Sequence, residues 1–373
     1  MKLTIERAAL LKSLAHVQSV VERRNTIPIL ANVLLRAHGD GHVELVATDM
    51  DLDILEQVTC AIASEGATTA PAHTLYDIVR KLPEGSEIQL DGGGPKERLI
   101  VRAGRSTFTL PALPTADFPV LASDGLPFKF SLGAAVLRSL IDRTRFAIST
   151  EETRYYLNGI YLHATRSNEL AVLRAVATDG HRLARVEITL PDGATGMPGV
   201  ILPRKTVLEL RKLIEETEGD IGISLSDTRV RFAFDDVVLS SKLIDGTFPD
   251  YERVIPAGND KVMEVDRRAF ADAVDRVATI STEKSRAVKL TVGKGNLVLS
   301  ATSPEAGSAT EELEVSYGSS PIEIGFNSRY LLDITQQIEG DSAAFAMADS
   351  ASPTVVHDRA DGSAIYVLMP MRV

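Results

Sequence analysis

The 373-residue sequence predicts an α+β protein made of three tandem repeats, each unit two helices plus antiparallel sheets. Three observations predict it. A strand-like alternation ends on an Ala-Thr pair three times, at Ala47-Thr48, Ala177-Thr178 and Ala301-Thr302. A helical pattern follows each pair after about 24 residues, over 71–82, 203–214 and 326–338. Units one and two then close alike, on Ala116-Asp117-Phe118-Pro119 and Gly246-Thr247-Phe248-Pro249-Asp250. The alanines stand 130 and 124 residues apart. Whole elements returning in one order at a fixed period are the signature of internal duplication. The expected domains are 1–125, 126–255 and 256–373, joined at Ser123-Asp124-Gly125-Leu126-Pro127 and Pro256-Ala257-Gly258-Asn259-Asp260.

Unit one opens with a short strand over 1–5 and a helix over 6–20, whose Ala9, Leu10, Leu14, Val17 and Val21 recur at three-to-four spacing. Pro28, in Ile27-Pro28-Ile29-Leu30, marks a turn or a strand edge, because proline donates nothing to a sheet ladder. Strand alternation over 32–46 is broken by His38-Gly39-Asp40-Gly41, and a second tight turn falls at Asp91-Gly92-Gly93-Gly94; both are rich in residues that tolerate positive φ. Unit two places a helix over 133–146 and strands over 159–163 and 229–239. Unit three places helices over 267–278 and 328–338. Gly85, Gly219 and Gly340 stand where they can stop the second helix of each unit. The last nine residues, Ile365-Tyr366-Val367-Leu368-Met369-Pro370-Met371-Arg372-Val373, are mostly apolar where a frayed polar end is the norm, so something is expected to cover them.

Composition narrows the function classes. With 44% apolar and 24% charged residues the chain reads as globular. No run approaches the ~20 apolar residues of a membrane span and no signal-peptide pattern stands at the start, so a cytoplasmic protein without a membrane partner is expected. The single Cys60 excludes an internal disulfide and suits a reducing compartment. The net charge of −11 argues against a nucleic-acid partner until its distribution is considered. Residues 6–24, 71–82, 132–146, 203–216, 265–278 and 326–339 together carry +5, which leaves −16 elsewhere. The helices can therefore offer a mildly basic surface on an otherwise acidic molecule.

Catalytic signatures are missing from the sequence. There is no Gly-x-x-x-x-Gly-Lys loop and no Gly-x-Gly-x-x-Gly after a strand; Gly92-Gly93-Gly94 reads as a turn. His38 and His42 flank a hairpin turn, and Cys60 reads as a small core residue, so no metal or cofactor is expected. Asp179 and His181 in Ala177-Thr178-Asp179-Gly180-His181-Arg182-Leu183-Ala184 leave two readings open. In a strand the carboxylate can orient an imidazole base; in a turn it caps the backbone. Unit one carries Asp49-Met50-Asp51 at the same place, without histidine, which favours a structural role.

The chain resembles the bacterial DNA polymerase III beta subunit family, the beta sliding clamps, from end to end. The resemblance rests on Met1-Lys2-Leu3-Thr4, Pro28-Ile29-Leu30, Arg154-Tyr155-Tyr156-Leu157-Asn158-Gly159, residues 177–184, Ser241-Lys242-Leu243, Phe248-Pro249-Asp250-Tyr251 and Met369-Pro370-Met371-Arg372. It implies a non-enzymatic processivity factor: a head-to-tail homodimeric ring, helices lining the hole and sheets outside, that encircles double-stranded DNA without reading its sequence. Helices about 10 Å thick, packed about 8 to 10 Å apart, leave an aperture of ~7 Å in a ring of six and roughly 24 Å in a ring of twelve. Only two chains together would admit a duplex. The implied partners are the polymerase alpha subunit, the clamp loader, and other polymerases and repair proteins, all through short apolar peptides. The resemblance assigns the peptide pocket to Arg154, Leu157, Thr178, Gly180, His181, Arg182, Leu183, Pro249, Arg253, Val254, Val367, Met369, Pro370, Met371 and Arg372. It assigns DNA contact to Arg24, His73, Tyr155 and Tyr156, with packing beneath the pocket as the alternative for the tyrosines. His73 stands where relatives can carry arginine. Phe108 and Ile280 are the candidates for the subunit contact, with ordinary core as the alternative.

Overall fold

The computed structural model describes residues 1–93, 98–119, 121, 125–281 and 286–372. Ser123 and Asp124 of the first expected linker, Gly94 of the second expected turn and the terminal Val373 lie outside the described residues. Six α-helices stand among them, two per repeat: α1 (Arg7–Val17), α2 (Ala72–Lys81), α3 (Ala134–Arg145), α4 (Arg204–Leu213), α5 (Arg267–Ala278) and α6 (Ser328–Thr335). Each follows directly on a strand, and each ends earlier than or where periodicity alone suggests. The glycines do not stop them. Helix α2 ends at Lys81 with Leu82 extended ahead of Pro83, and Gly85 serves the turn beyond at φ 71°. Gly340 is required by a close approach: an added Cβ would stand 2.6 Å from Asp358 Oδ1, and its own N–H donates to the Asp358 carboxylate at 2.8 Å.

Four antiparallel sheets carry the rest. The expected strand at 32–46 is a hairpin, Asn32–His38 and His42–Thr48, turning through Gly41 at φ 88°. The stretch 229–239 likewise divides into Arg229–Phe234 and Val237–Lys242 about a turn at Asp235. Pro28 starts a 3₁₀ turn, Pro28–Ala31. Cys60 is free and only half-buried, between two strands and not in the core.

Two of the sheets have eight strands, and each is shared by two repeats. In the first, Leu52–Thr59 of repeat one pairs with Val237–Lys242 of repeat two, from Leu52 opposite Ser241 to Glu56 opposite Val237. In the second, Arg182–Thr189 of repeat two pairs with Ala364–Leu368 of repeat three, from Arg182 opposite Leu368 to Val186 opposite Ala364. Compactness follows these shared sheets. One compact unit holds residues 1–137, 191–197 and 208–243, and the other 138–190, 198–207 and 244–373.

Within the first unit, α1 lays Leu10, Leu14 and Val17 on strands His42–Thr48 and Leu52–Thr59 and packs beside α2. Within the second, α5 buries Phe270, Ala273, Val274 and Val277 beside α6, with Phe270 and Phe345 rings 5.0 Å apart. Full burial of side chains of this size contributes about 1.5–3 kcal/mol each, which outweighs the weak intrinsic preference of short helices. The apolar end of the chain is largely accounted for here: Tyr366, Val367 and Leu368 are buried in a strand that has a neighbour on each side.

Candidate functional site

The repeated Ala-Thr motif is a capped turn. Asp179 Oδ1 accepts the backbone N–H groups of His181 at 2.9 Å and Arg182 at 3.0 Å, while Thr178 Oγ1 accepts that of Gly180 at 3.1 Å. Gly180 sits at φ 86°, the left-handed region that glycine enters without strain. Repeat one repeats the arrangement: Asp49 Oδ1 takes the N–H groups of Asp51 and Leu52, Thr48 Oγ1 takes that of Met50, and Met50 has φ 77°. In repeat three Ser303 Oγ accepts from Glu305 and Ala306. The carboxylate of Asp179 is thus spent on the backbone and on Arg182 Nε at 3.2 Å, and the reading in which it orients His181 as a base is set aside.

This turn stands at the edge of an apolar cluster in the second compact unit. Leu157, Val176, Leu183, Ile201, Phe248, Tyr251 and Val367 are buried together, with Tyr156, Tyr161, Ile244 and Ile255 partly buried against them. Leu157 ends a 3₁₀ segment, Glu152–Leu157, and Tyr251 begins another, Tyr251–Val254; Leu183 and Val367 face each other across the shared sheet. Around the cluster lie side chains that a buried core would not leave in water. Val254 is 51% exposed and Met369 42%. Arg154, Gly180, His181, Pro249, Arg253 and Arg372 are exposed, and Thr178, Pro370 and Met371 are half-buried. Met369 N–H donates to the His181 carbonyl at 2.9 Å and Met371 N–H to that of Gly325, which pins the tail beside the turn.

Arg182 is different from its neighbours in the set. It is buried, its guanidinium bonds Asp179, Asp333 and the Phe146 carbonyl, and it lies 4.3 Å from the Tyr330 ring centroid. It acts as a strut between the turn and α6. His181 stacks on the same Tyr330 at 6.4 Å. Burial, reinforced by the charge of Asp179, pushes the Tyr330 hydroxyl pKa up. Asp179, His181, Arg182 and Tyr330 also line a cavity of about 500 Å³ together with Arg145 and Arg204.

The other expected residues fall in separate places. Arg24 is exposed in the loop after α1. His73, on α2, has Nε2 2.9 Å from the Val21 carbonyl, so Nε2 carries the proton and the ring ties α2 to that loop. Tyr155 is 53% exposed, whereas Tyr156 packs on the apolar cluster with its ring edge-on to Tyr155 at 5.8 Å. Phe108 is half-buried on Ser106–Pro111, the last strand of the five-stranded sheet, and Ile280 is half-buried just beyond α5. His38 and His42 lie opposite each other in their hairpin, and no cluster of three or more metal-binding side chains occurs among the described residues. No described helix is long and apolar enough to cross a membrane. Motif matching missed Val176, Ile201, Tyr251 and Tyr330. The Phe-Pro-Asp-Tyr motif signals Tyr251; strand pairing brings in Val176 and Ile201, and helix α6 brings Tyr330 against Arg182 and His181.

Comparison with known proteins is consistent along the whole chain. Family models match three segments in order: the DNA polymerase III beta subunit N-terminal domain at residues 1–122, its central domain at 131–250 and its C-terminal domain at 252–372. The beta sliding clamp of Caulobacter vibrioides is 57% identical over 373 residues, covering all of both chains. The crystal structure of the DNA polymerase sliding clamp from Caulobacter crescentus is 56% identical with a TM-score of 0.95, covering all of both chains. The sliding clamp of Bartonella birtlesii bound to griselimycin is 52% identical with a TM-score of 0.97, again over the full length of both. With three capped turns in three tandem repeats, and family domains matched in the same order, the chain belongs to the DNA polymerase III beta subunit family, the beta sliding clamps.

Proposed function

We propose that two copies of this chain close head to tail around duplex DNA and tether the replicative polymerase and other replication and repair proteins to it. The observation that carries this is the repeated seam. Strand Leu52–Thr59 of repeat one and strand Arg182–Thr189 of repeat two each join the following repeat, through Val237–Lys242 and Ala364–Leu368. The corresponding strand of repeat three, Gly307–Glu314, is an edge of its four-stranded sheet, and Ser106–Pro111 of repeat one is an edge of its five-stranded sheet. Each edge is what the other lacks. Unpaired edges are a standing invitation to pairing, and both present apolar side chains on one face, Phe108 and Leu110 on one and Ala309 and Leu313 on the other. A second copy satisfies both edges at once. By sedimentation velocity the protein should run near twice its 40.3 kDa, and Phe108→Asp should shift it to one copy while leaving the circular-dichroism spectrum unchanged. A wild-type monomer at micromolar concentration would contradict the reading.

The partner site in this proposal is the apolar cluster with its exposed rim, from Leu157 and Leu183 to Val254 and Met369. Methionine and valine side chains at the lip suit apolar peptides of differing sequence, because such surfaces repack at low cost. Griselimycin, the compound bound in the Bartonella relative, is proposed to bind here too. DNA contact is proposed for Arg24, Tyr155 and, less directly, His73, whose ring is already held by the Val21 carbonyl.

A further inference from the structure

Against the apolar cluster lies a polar network of which the sequence motifs single out only Tyr251. Arg174, buried on strand Leu170–Thr178, donates from Nε to Glu187 at 2.8 Å and from Nη1 to the Glu252 carboxylate at 2.5 Å and the Tyr251 hydroxyl at 3.2 Å. His163 Nε2 lies 3.0 Å from the same hydroxyl. Tyr251 is therefore shared: its ring belongs to the apolar cluster and its oxygen to the network. Tyr251 and Glu252 also open the 3₁₀ turn whose far end presents Arg253 and Val254.

One proton arrangement gives every group in this set a partner. Arginine only donates, so the Tyr251 oxygen accepts from Arg174. The hydroxyl has one proton, and His163 Nε2 is the remaining acceptor within reach. In that arrangement Nε2 is bare and the imidazole neutral. The ring is stacked on Tyr161 at 4.6 Å, which is in turn stacked on Phe248 at 4.8 Å, so it cannot swing away without disturbing the cluster. The charged groups around it are Arg174 and Arg185 against Glu187 and Glu252, a balanced set that a further positive charge unbalances.

We propose that neutral His163, acting through the Tyr251 hydroxyl that Arg174 holds from the other side, positions the Tyr251–Val254 turn for partner binding, and that protonating His163 releases the bound partner. This rests on the partner site being the apolar cluster. A proton on Nε2 replaces an acceptor by a donor facing a donor, and it places a cation in a buried site beside Arg174. Burial, and then the charge of Arg174, hold the imidazole pKa below its ordinary value. The state with the turn in place therefore resists protonation, and the released state takes the proton first. Binding is complete above the ordinary histidine pKa and is lost as pH falls below it, by at most about ten-fold per pH unit for one proton.

The test is a titration of the full-length protein with griselimycin from pH 8 to pH 5.5, in wild type, His163→Gln and Tyr251→Phe. Glutamine presents a neutral carbonyl oxygen to the Tyr251 proton and cannot be protonated. Wild-type affinity should fall by about ten-fold between pH 7.5 and pH 5.5. His163→Gln should match wild type at pH 7.5 and show a flat profile. Tyr251→Phe keeps the ring but cuts the relay; it should bind more weakly at pH 7.5 and also lose the pH dependence, which keeps the idea testable should the glutamine variant fold poorly. A flat wild-type profile, or equal slopes in wild type and both variants, overturns the positioning role. Absence of wild-type binding at pH 7.5 overturns the partner-site reading itself, and the positioning role with it.

Discussion

Asp179 accepts two backbone N–H groups and the Arg182 guanidinium, and Asp49 accepts two backbone N–H groups in repeat one, so the residue that looks most like chemistry in the sequence is a fastening in the structure. Asp179→Ala should destabilise the protein by about 2–3 kcal/mol, because it strands two turn donors and one bond to a buried guanidinium. His181→Ala, which removes an exposed ring, should cost less than about 0.5 kcal/mol. Urea unfolding of the two variants checks this, and equal losses would contradict the capping role. The Asp-x-His spacing was legible, but its meaning was not, since strand and turn give it opposite roles. Arg174 was not legible at all. Its partners Tyr251 and Glu252 lie 77 and 78 residues away, and no local pattern announces a pairing of that span.

At the scale of elements, periodicity found all six helices, matched α5 at both ends and ran past the ends of the others. Helix α4 ends at Leu213 and so excludes Glu215 and Glu216, α5 starts after Asp266, and α6 ends before Glu339. Counting Lys and Arg against Asp and Glu within the observed bounds gives +2, +1, +2, +3, +1 and 0 for α1 to α6, or +9, against the +5 of the broader segments. The acids sit at the helix margins, and the helices are more basic than the sequence alone suggests. That charge is weak per helix, which suits the proposed hold on a duplex without a fixed position; each neutralised phosphate steepens the salt dependence by about 0.9. Arg24→Ala, in the exposed loop after α1, should lower the slope of log affinity against log salt on linear duplex by about 1 and leave sequence preference untouched. An unchanged slope would remove Arg24 from the DNA-facing set.

At the scale of the molecule, the threefold repeat was readable because a capped turn, a helix and a closing Phe-Pro return in register. The shared sheets were not readable, since register across a seam depends on strands some 183 residues apart, as with Val238 opposite Leu55. Those seams are the ground for the proposed dimer: two are made within the chain and one edge is left over at each end of the series. The candidate site was legible in part for the same reason. Leu157, Leu183 and Val367 are neighbours only because repeats two and three share a sheet. The most direct measurement of the central claim is retention on DNA that has no ends. Loaded onto a nicked circular duplex with its loader, the protein should remain bound through gel filtration in high salt and leave within minutes once the circle is cut at a single site. Equal retention on circular and linear DNA, or retention by the Phe108→Asp monomer, would contradict the account.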